Sequence, residues 1–224
     1  ALGVLVLLLL GGLREHASAQ GALTNGWTHT GTIAPIGDSD AWTFSASIGD
    51  RIVIRVGEIT QTNSFTPRLR LQNPSAVQIG LASGVVAAEI AVTVTNTGTF
   101  TVMVDDAVGT TATGTYRLTL AKSPGAVFVT PGDEGGPLTN GVMHTGTIDV
   151  GDLDVWTFMA NSGDAIVVRL GEIVDTSGNF DPWVRLYSPD GTLLDSGLGS
   201  LAGEVAVTAT NSGTFTVVVG DGNG

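Results

Sequence analysis

The residues best placed to do chemistry are two pairs of aspartates, Asp38 and Asp40 in Gly37-Asp38-Ser39-Asp40 and Asp152 and Asp154 in Gly151-Asp152-Leu153-Asp154. Side chains two apart on a strand point the same way and lie about 7 Å apart. One calcium ion spans that distance when further oxygens complete its shell of about six to eight. A plainer use is open to the same residues, because an aspartate beside a turn glycine commonly accepts backbone N–H groups. Glu58, Glu172, Asp50 and Asp164 raise the question of carboxylate acid–base catalysis. Each follows a glycine at a turn or strand end and occurs once per repeat, which favours structure over a catalytic site present twice. His29 and His144 likewise occupy repeat positions flanked by threonine on expected strands, where a lone histidine usually packs. There is no cysteine, no G-x-S-x-G, no H-E-x-x-H and no phosphate-binding Gly-Lys loop in the chain.

Aromatic residues offer a second kind of chemistry. Trp42 and Phe44, and again Trp156 and Phe158, alternate on strands and so share a face. Such a face either stacks on sugars or fills the space between two sheets, and the core role is expected here, together with Phe100 and Phe215. Trp27 and Trp183 have no tryptophan counterpart, since Val142 and Arg68 stand at the matching places, and they are the candidates for ligand contact. For each, a half-buried strand position is the alternative.

The elements that position these residues come from a duplication. Leu23-Thr24-Asn25-Gly26 recurs as Leu138-Thr139-Asn140-Gly141, and His29-Thr30-Gly31-Thr32-Ile33 recurs as His144-Thr145-Gly146-Thr147-Ile148. Thr95-Asn96-Thr97-Gly98-Thr99-Phe100 recurs as Thr210-Asn211-Ser212-Gly213-Thr214-Phe215. A period this long describes two tandem domains rather than a solenoid. Short alternating runs rich in valine and threonine, broken by glycine, asparagine and aspartate, predict strands. In Arg51-Ile52-Val53-Ile54-Arg55-Val56 the face with Ile52, Ile54 and Val56 is expected inside, and the face with Arg51, Val53 and Arg55 partly solvated. The expected fold class is all-β, two tandem antiparallel β-sandwiches of jelly-roll type.

The chain divides accordingly into 1–19, 20–121, 122–136 and 137–224. The apolar run Ala1–Leu10, followed by Ala17-Ser18-Ala19 before Gln20, reads as a signal peptide incomplete at its N-terminus. It is too short for a stable membrane span. Residues 122–136, rich in proline and glycine, read as a linker. Gly114-Thr115-Tyr116-Arg117-Leu118-Thr119-Leu120 has no counterpart in the second repeat, which is therefore read as truncated at its last strand, with an unfilled, adhesive edge. With 9 basic against 21 acidic residues the formal charge is -12, so nucleic acid is excluded as a partner.

The order G-D-x-D-x-W-T-F, G-D, F-x-P-x-x-R-L, T-G-T-F-T-V and G-T-Y-x-L-T-L resembles the bacterial pre-peptidase C-terminal domain family, over nearly all of the first repeat and most of the second. That resemblance implies secreted β-sandwiches appended to extracellular peptidases, not themselves catalytic, sometimes removed on maturation, with calcium and collagen binding in the collagenase branch. In calcium-binding relatives an acidic stretch just ahead of the domain joins the aspartate pair. Asp133-Glu134 partly matches it before the second repeat, whereas Gln20-Gly21-Ala22-Leu23 does not before the first. Calcium, if bound, is expected at Asp133, Glu134, Asp152 and Asp154 rather than at Asp38 and Asp40. The expected function is a non-catalytic accessory module of a secreted or cell-surface protein, serving adhesion, spacing or targeting. The alternative is a calcium-assisted module that binds carbohydrate or a collagen-like matrix. The expected partners are an extracellular polysaccharide or matrix protein and the remainder of a longer chain.

Overall fold

A computed structural model describes residues 17–60, 65–108, 112–174 and 178–223, and these form strands and no helix. Consequently no described helix is long and apolar enough to cross a membrane. The first unit pairs β1 (Ala17–Ala22), β3 (Ser39–Ala46), β8 (Gly98–Asp106), β5 (Pro67–Gln72) and β6 (Gln78–Ser83), in that order, into sheet A. Sheet B has the order β2 (Thr28–Ile33), β9 (Gly114–Ser123), β4 (Arg51–Thr60) and β7 (Ala87–Thr93). All ladders in both are antiparallel except the edge pair β1 and β3.

Alternation decides which side chains meet between the two sheets. Leu69 and Leu71 of β5, Phe100, Val102 and Val104 of β8, and Trp42 and Phe44 of β3 face Ile52, Ile54 and Val56 of β4 and Tyr116, Leu118 and Leu120 of β9 in one buried cluster. This is a β-sandwich, and Trp42, Phe44 and Phe100 lie inside it, the two phenyl rings stacked 5.4 Å apart.

The second unit repeats sheet A as sheet C, in the order β10 (Gly135–Pro137), β11 (Asp154–Ala160), β16 (Gly213–Asp221), β13 (Pro182–Tyr187) and β14 (Leu193–Leu198). Opposite it, sheet D consists, among the described residues, of β12 (Ala165–Gly171) and β15 (Ala202–Thr208). Phe215 is fully buried, stacked 5.5 Å from Phe158. Trp156 and Phe158 are only half-buried, because no described strand stands where β9 covers Trp42 in the first unit. Residues 142–149 form no strand for the same reason, so His144, expected on one, lies in an exposed loop.

Element bounds differ from the reading of the sequence at both ends of the first unit. Strand β1 begins at Ala17, so the expected cleavage before Gln20 falls inside it, and residues 1–16 lie outside the described part. Strand β9 runs on to Ser123, and β10 starts at Gly135, which shortens the linker from both sides.

The outer face of β4 is covered beyond Arg51, which alone of the three stays half-exposed. Val53 is 1% exposed and Arg55 3%. They are covered because sheet B lies face to face on sheet C, with Val53 and Ala121 packed on Leu153, Val155, Tyr187 and Val218. Arg185 of β13 donates to both carboxylate oxygens of Glu89 on β7, at 2.6 and 3.1 Å. The Arg55 guanidinium, 3.6 Å from the same carboxylate, also donates to the Asp221 carbonyl at 2.6 Å. The backbones come close at a glycine pair, where a Cβ on Gly57 would lie 2.4 Å from Gly151 N. The two units are thus one stack of four sheets rather than beads on a string.

Candidate metal centre

The aspartate pair of the second unit sits at the seam of this stack. A turn closed by the Asp152 N–H donating to the Asp149 carbonyl at 2.9 Å, with Gly151 at φ +79°, delivers Asp152 and then Asp154 to the start of β11. Strand β10 runs parallel to β11, with Gly135 opposite Val155, and so brings the preceding residues alongside. Carboxylate oxygens of Asp133, Asp152 and Asp154 lie within 4.8 Å of one another. Glu134 is adjacent but differently engaged, its Oε2 accepting from Thr147 N at 3.1 Å.

Asp152 and Asp154 are each 4% exposed. Burial pushes the Asp154 carboxyl up to about 9, and the charges of Asp152, Asp133 and Glu134 push the same way. Asp152 is raised to about 6 by burial and then by Asp133, with the Arg117 guanidinium opposing. Asp154 Oδ1 is buried with no hydrogen-bond partner. An orphaned carboxylate oxygen among like charges is a costly arrangement. A bound divalent cation would relieve it.

The first unit supplies the first residue from outside. Thr28 Oγ1 donates to Asp133 Oδ2 at 2.6 Å and stands 3.4 Å from Asp152 Oδ1. Arg117 of β9 donates to the Val150 carbonyl at 3.0 Å and to Asp149 at 2.7 Å, holding the turn. Neither Thr28 nor Arg117 is signalled by the repeats, since both reach the site only through the stacking of the units.

Asp38 and Asp40 are spoken for. Asp38 accepts from Ser39 N at 2.9 Å and Ala34 N at 3.2 Å, the turn role. Tyr116 donates its hydroxyl to Asp40 Oδ2 at 2.6 Å, and the amide of Gln20 donates to Oδ1 at 2.5 Å. Asp50 and Asp164 also close turns, accepting from Ser47 N and Asn161 N at 2.9 and 2.8 Å. The ligand-contact candidates lie apart from the cluster's hydrogen bonds. Trp27 is half-buried in the turn before β2, and the Trp183 indole donates to Ser196 Oγ at 2.8 Å with the Arg185 guanidinium 4.0 Å over its ring.

No family model matches the chain, and no curated protein matches it. Among solved structures it is similar to the pre-peptidase C-terminal domain of a collagenase from Bacillus anthracis. That likeness has 18% identity and a TM-score of 0.37, over 49% of this chain and 98% of that one.

Proposed function

We propose that the chain is a non-catalytic accessory module of a secreted or cell-surface protein, whose second unit is clamped by calcium and which serves adhesion, spacing or targeting. The observation that carries this reading is the cluster of Asp133, Asp152 and Asp154 with the buried, unpartnered oxygen of Asp154. Hard oxygen donors suit calcium, and three carboxylates with Thr28 Oγ1 beside them fit such an ion. Bound there, calcium would supply positive charge to carboxylates that otherwise repel one another. Asp133 precedes β10, Asp154 opens β11 and Thr28 belongs to the first unit, so the ion would tie the connection and both units together. Extracellular polysaccharide or matrix protein is the partner class this reading favours. The duplicated, structurally engaged carboxylates favour it over an enzyme.

Thermal unfolding with calcium and with chelator tests the clamp. Calcium at about 100 times its dissociation constant adds about 2.7 kcal/mol to stability. The expected rise in melting temperature disappears in Asp154→Asn and survives in Asp38→Asn. A melting temperature indifferent to calcium would return the second aspartate pair to a turn role and leave a passive spacer.

A further inference from the structure

In the first unit, sheet A ends at β6, which pairs with β5 and with no other strand among the described residues. The small residues of β6 face inward. A Cβ on Gly80 would lie 2.8 Å from Ile90 Cγ2, and Ala82 packs on the buried cluster. The large apolar residues in and beside the strand are left to solvent, with Val77, Ile79, Leu81 and Val85 being 56, 37, 61 and 75% exposed.

An edge strand is ordinarily guarded by charge, proline or a bulge, because its open N–H and C=O groups accept a strand from another chain. Strand β6 has neither charge nor proline, and its one irregularity, opposite Leu71 and Gln72, leaves Gly80 to Ser83 in regular register. No charged residue occurs from Leu71 to Ala88, in a chain of net charge -12. The arginines next to it on β5, Arg68 and Arg70, are both paired with Asp105. At the same place the second unit is closed. Asp195 of β14 lies opposite Leu186 as Gly80 lies opposite Leu71, and its carboxylate accepts from Ala206 N of β15 at 3.1 Å. Ser196 stands where Leu81 does and is held by the Trp183 indole. An unguarded edge is therefore particular to β6 and not a requirement of the fold.

The backbone fixes how a second strand would lie. Gly84 donates its N–H to the Pro67 carbonyl at 3.3 Å, so by alternation Ala82 and Gly80 bond toward β5, and the N–H and C=O of Leu81 and Ser83 turn to the open edge.

We propose that β6 is the contact of a symmetric dimer, in which the β6 strands of two copies pair antiparallel about a two-fold axis at Leu81 and join their A sheets. Leu81 lies opposite its own equivalent and exchanges both backbone hydrogen bonds with it, while Ile79 lies opposite the equivalent of Ser83. Charge selects a second copy as the occupant. Two chains of -12 repel each other over most of their surfaces, and the uncharged edge lets them meet without bringing carboxylates together. A two-fold axis also sets the apolar stripe against itself. The contact is small, so pairing depends on concentration, and dilution returns the single chain. Calcium is not required for it.

Sedimentation equilibrium of the 224-residue chain in chelator tests the pairing. The average mass is expected to climb from one chain toward two with concentration, while amide exchange slows at Leu81 and Ser83. Leu81→Lys should abolish the association and keep the parent's melting temperature. Because the chain has no cysteine, Leu81→Cys gives a second readout. Equivalent Cα atoms about 5.5 Å apart are within disulfide reach, so mild oxidation should link two copies. Leu198→Cys, equally exposed on the edge strand of sheet C, should not link them. A mass that stays at one chain up to millimolar concentration overturns the proposal. So does association that survives Leu81→Lys, or a Leu81→Cys variant that cross-links no faster than Leu198→Cys. Vesicle binding by a chain that stays single would assign the stripe to a lipid surface and overturns the pairing too. Because chelator is present throughout, a failure of the calcium reading leaves this result untouched.

Discussion

Asp40 and Asp154 hold the same place in their units and sit in different electrostatic surroundings. Burial raises both, but Asp40 receives hydrogen bonds from Tyr116 and Gln20 that favour its charged form, whereas the carboxylates of Asp152, Asp133 and Glu134 push Asp154 further up. A carboxyl whose folded value lies above its unfolded one stabilises the fold while protonated. That stability is fully present below the ordinary value of 3.8 and is lost as pH rises through the folded values of about 6 and about 9 for Asp152 and Asp154. In chelator, the Asp152→Asn/Asp154→Asn variant is therefore expected to gain on the parent chain between pH 5 and pH 9 in urea midpoints. Added calcium should narrow the gap most at the alkaline end, where the ligands are ionised. In the first unit, Tyr116→Phe strands Asp40 Oδ2 and the Trp42 indole N–H, and should cost about 1 to 3 kcal/mol by the same titration. The aspartate pairs themselves were legible from their spacing. Their divergence was legible only in part, in Asp133-Glu134 ahead of the second repeat against Gln20-Gly21 ahead of the first. The hydroxyls of Tyr116 and Thr28 were not, because both lie far along the chain from the aspartates they meet and only folding brings them close.

Strands were the legible elements, since valine and threonine alternating between glycine turns leave few other solutions. The fate of a strand's second face was not. Val53 and Arg55 on β4 read as a partly solvated outer face, and nothing in their order distinguishes solvent from a second sheet. Gly57 is informative only once Gly151 is known to lie against it. Gly57→Ala puts a methyl group into backbone and is expected to cost about 1 to 3 kcal/mol as overpacking. Its signature would be faster proteolysis between Pro124 and Glu134 with the first unit still folded. The linker boundaries were misplaced for a related reason, as Lys122 and Ser123 look like loop residues but continue the ladder with Ile52 and Arg51.

As a whole the molecule should behave as one body. A compact chain of this length has a radius of gyration of about 17 Å, and small-angle scattering well above that would indicate separated units. Heat should unfold both units in one transition. Arg185→Ala leaves Glu89 with Arg55 alone inside the seam, and should cost about 3 kcal/mol and split that transition in calorimetry. The stacking is also heterologous, because the B-type sheet of one unit meets the A-type sheet of the other. Duplicating a domain ordinarily doubles its surfaces, so that two weak contacts reinforce each other on a repetitive target. Here the centre of sheet B's outer face, at Val53 and Ala121, is hidden while the face of its counterpart, sheet D, is open, with Val167 60% exposed. The centre of sheet C's outer face is hidden at Val155, Tyr187 and Val218, although Met159 at its end is 74% exposed. Neither type of sheet face is displayed whole twice on one chain, so a target that needs the centre of one of them meets a chain that is monovalent despite the repeat.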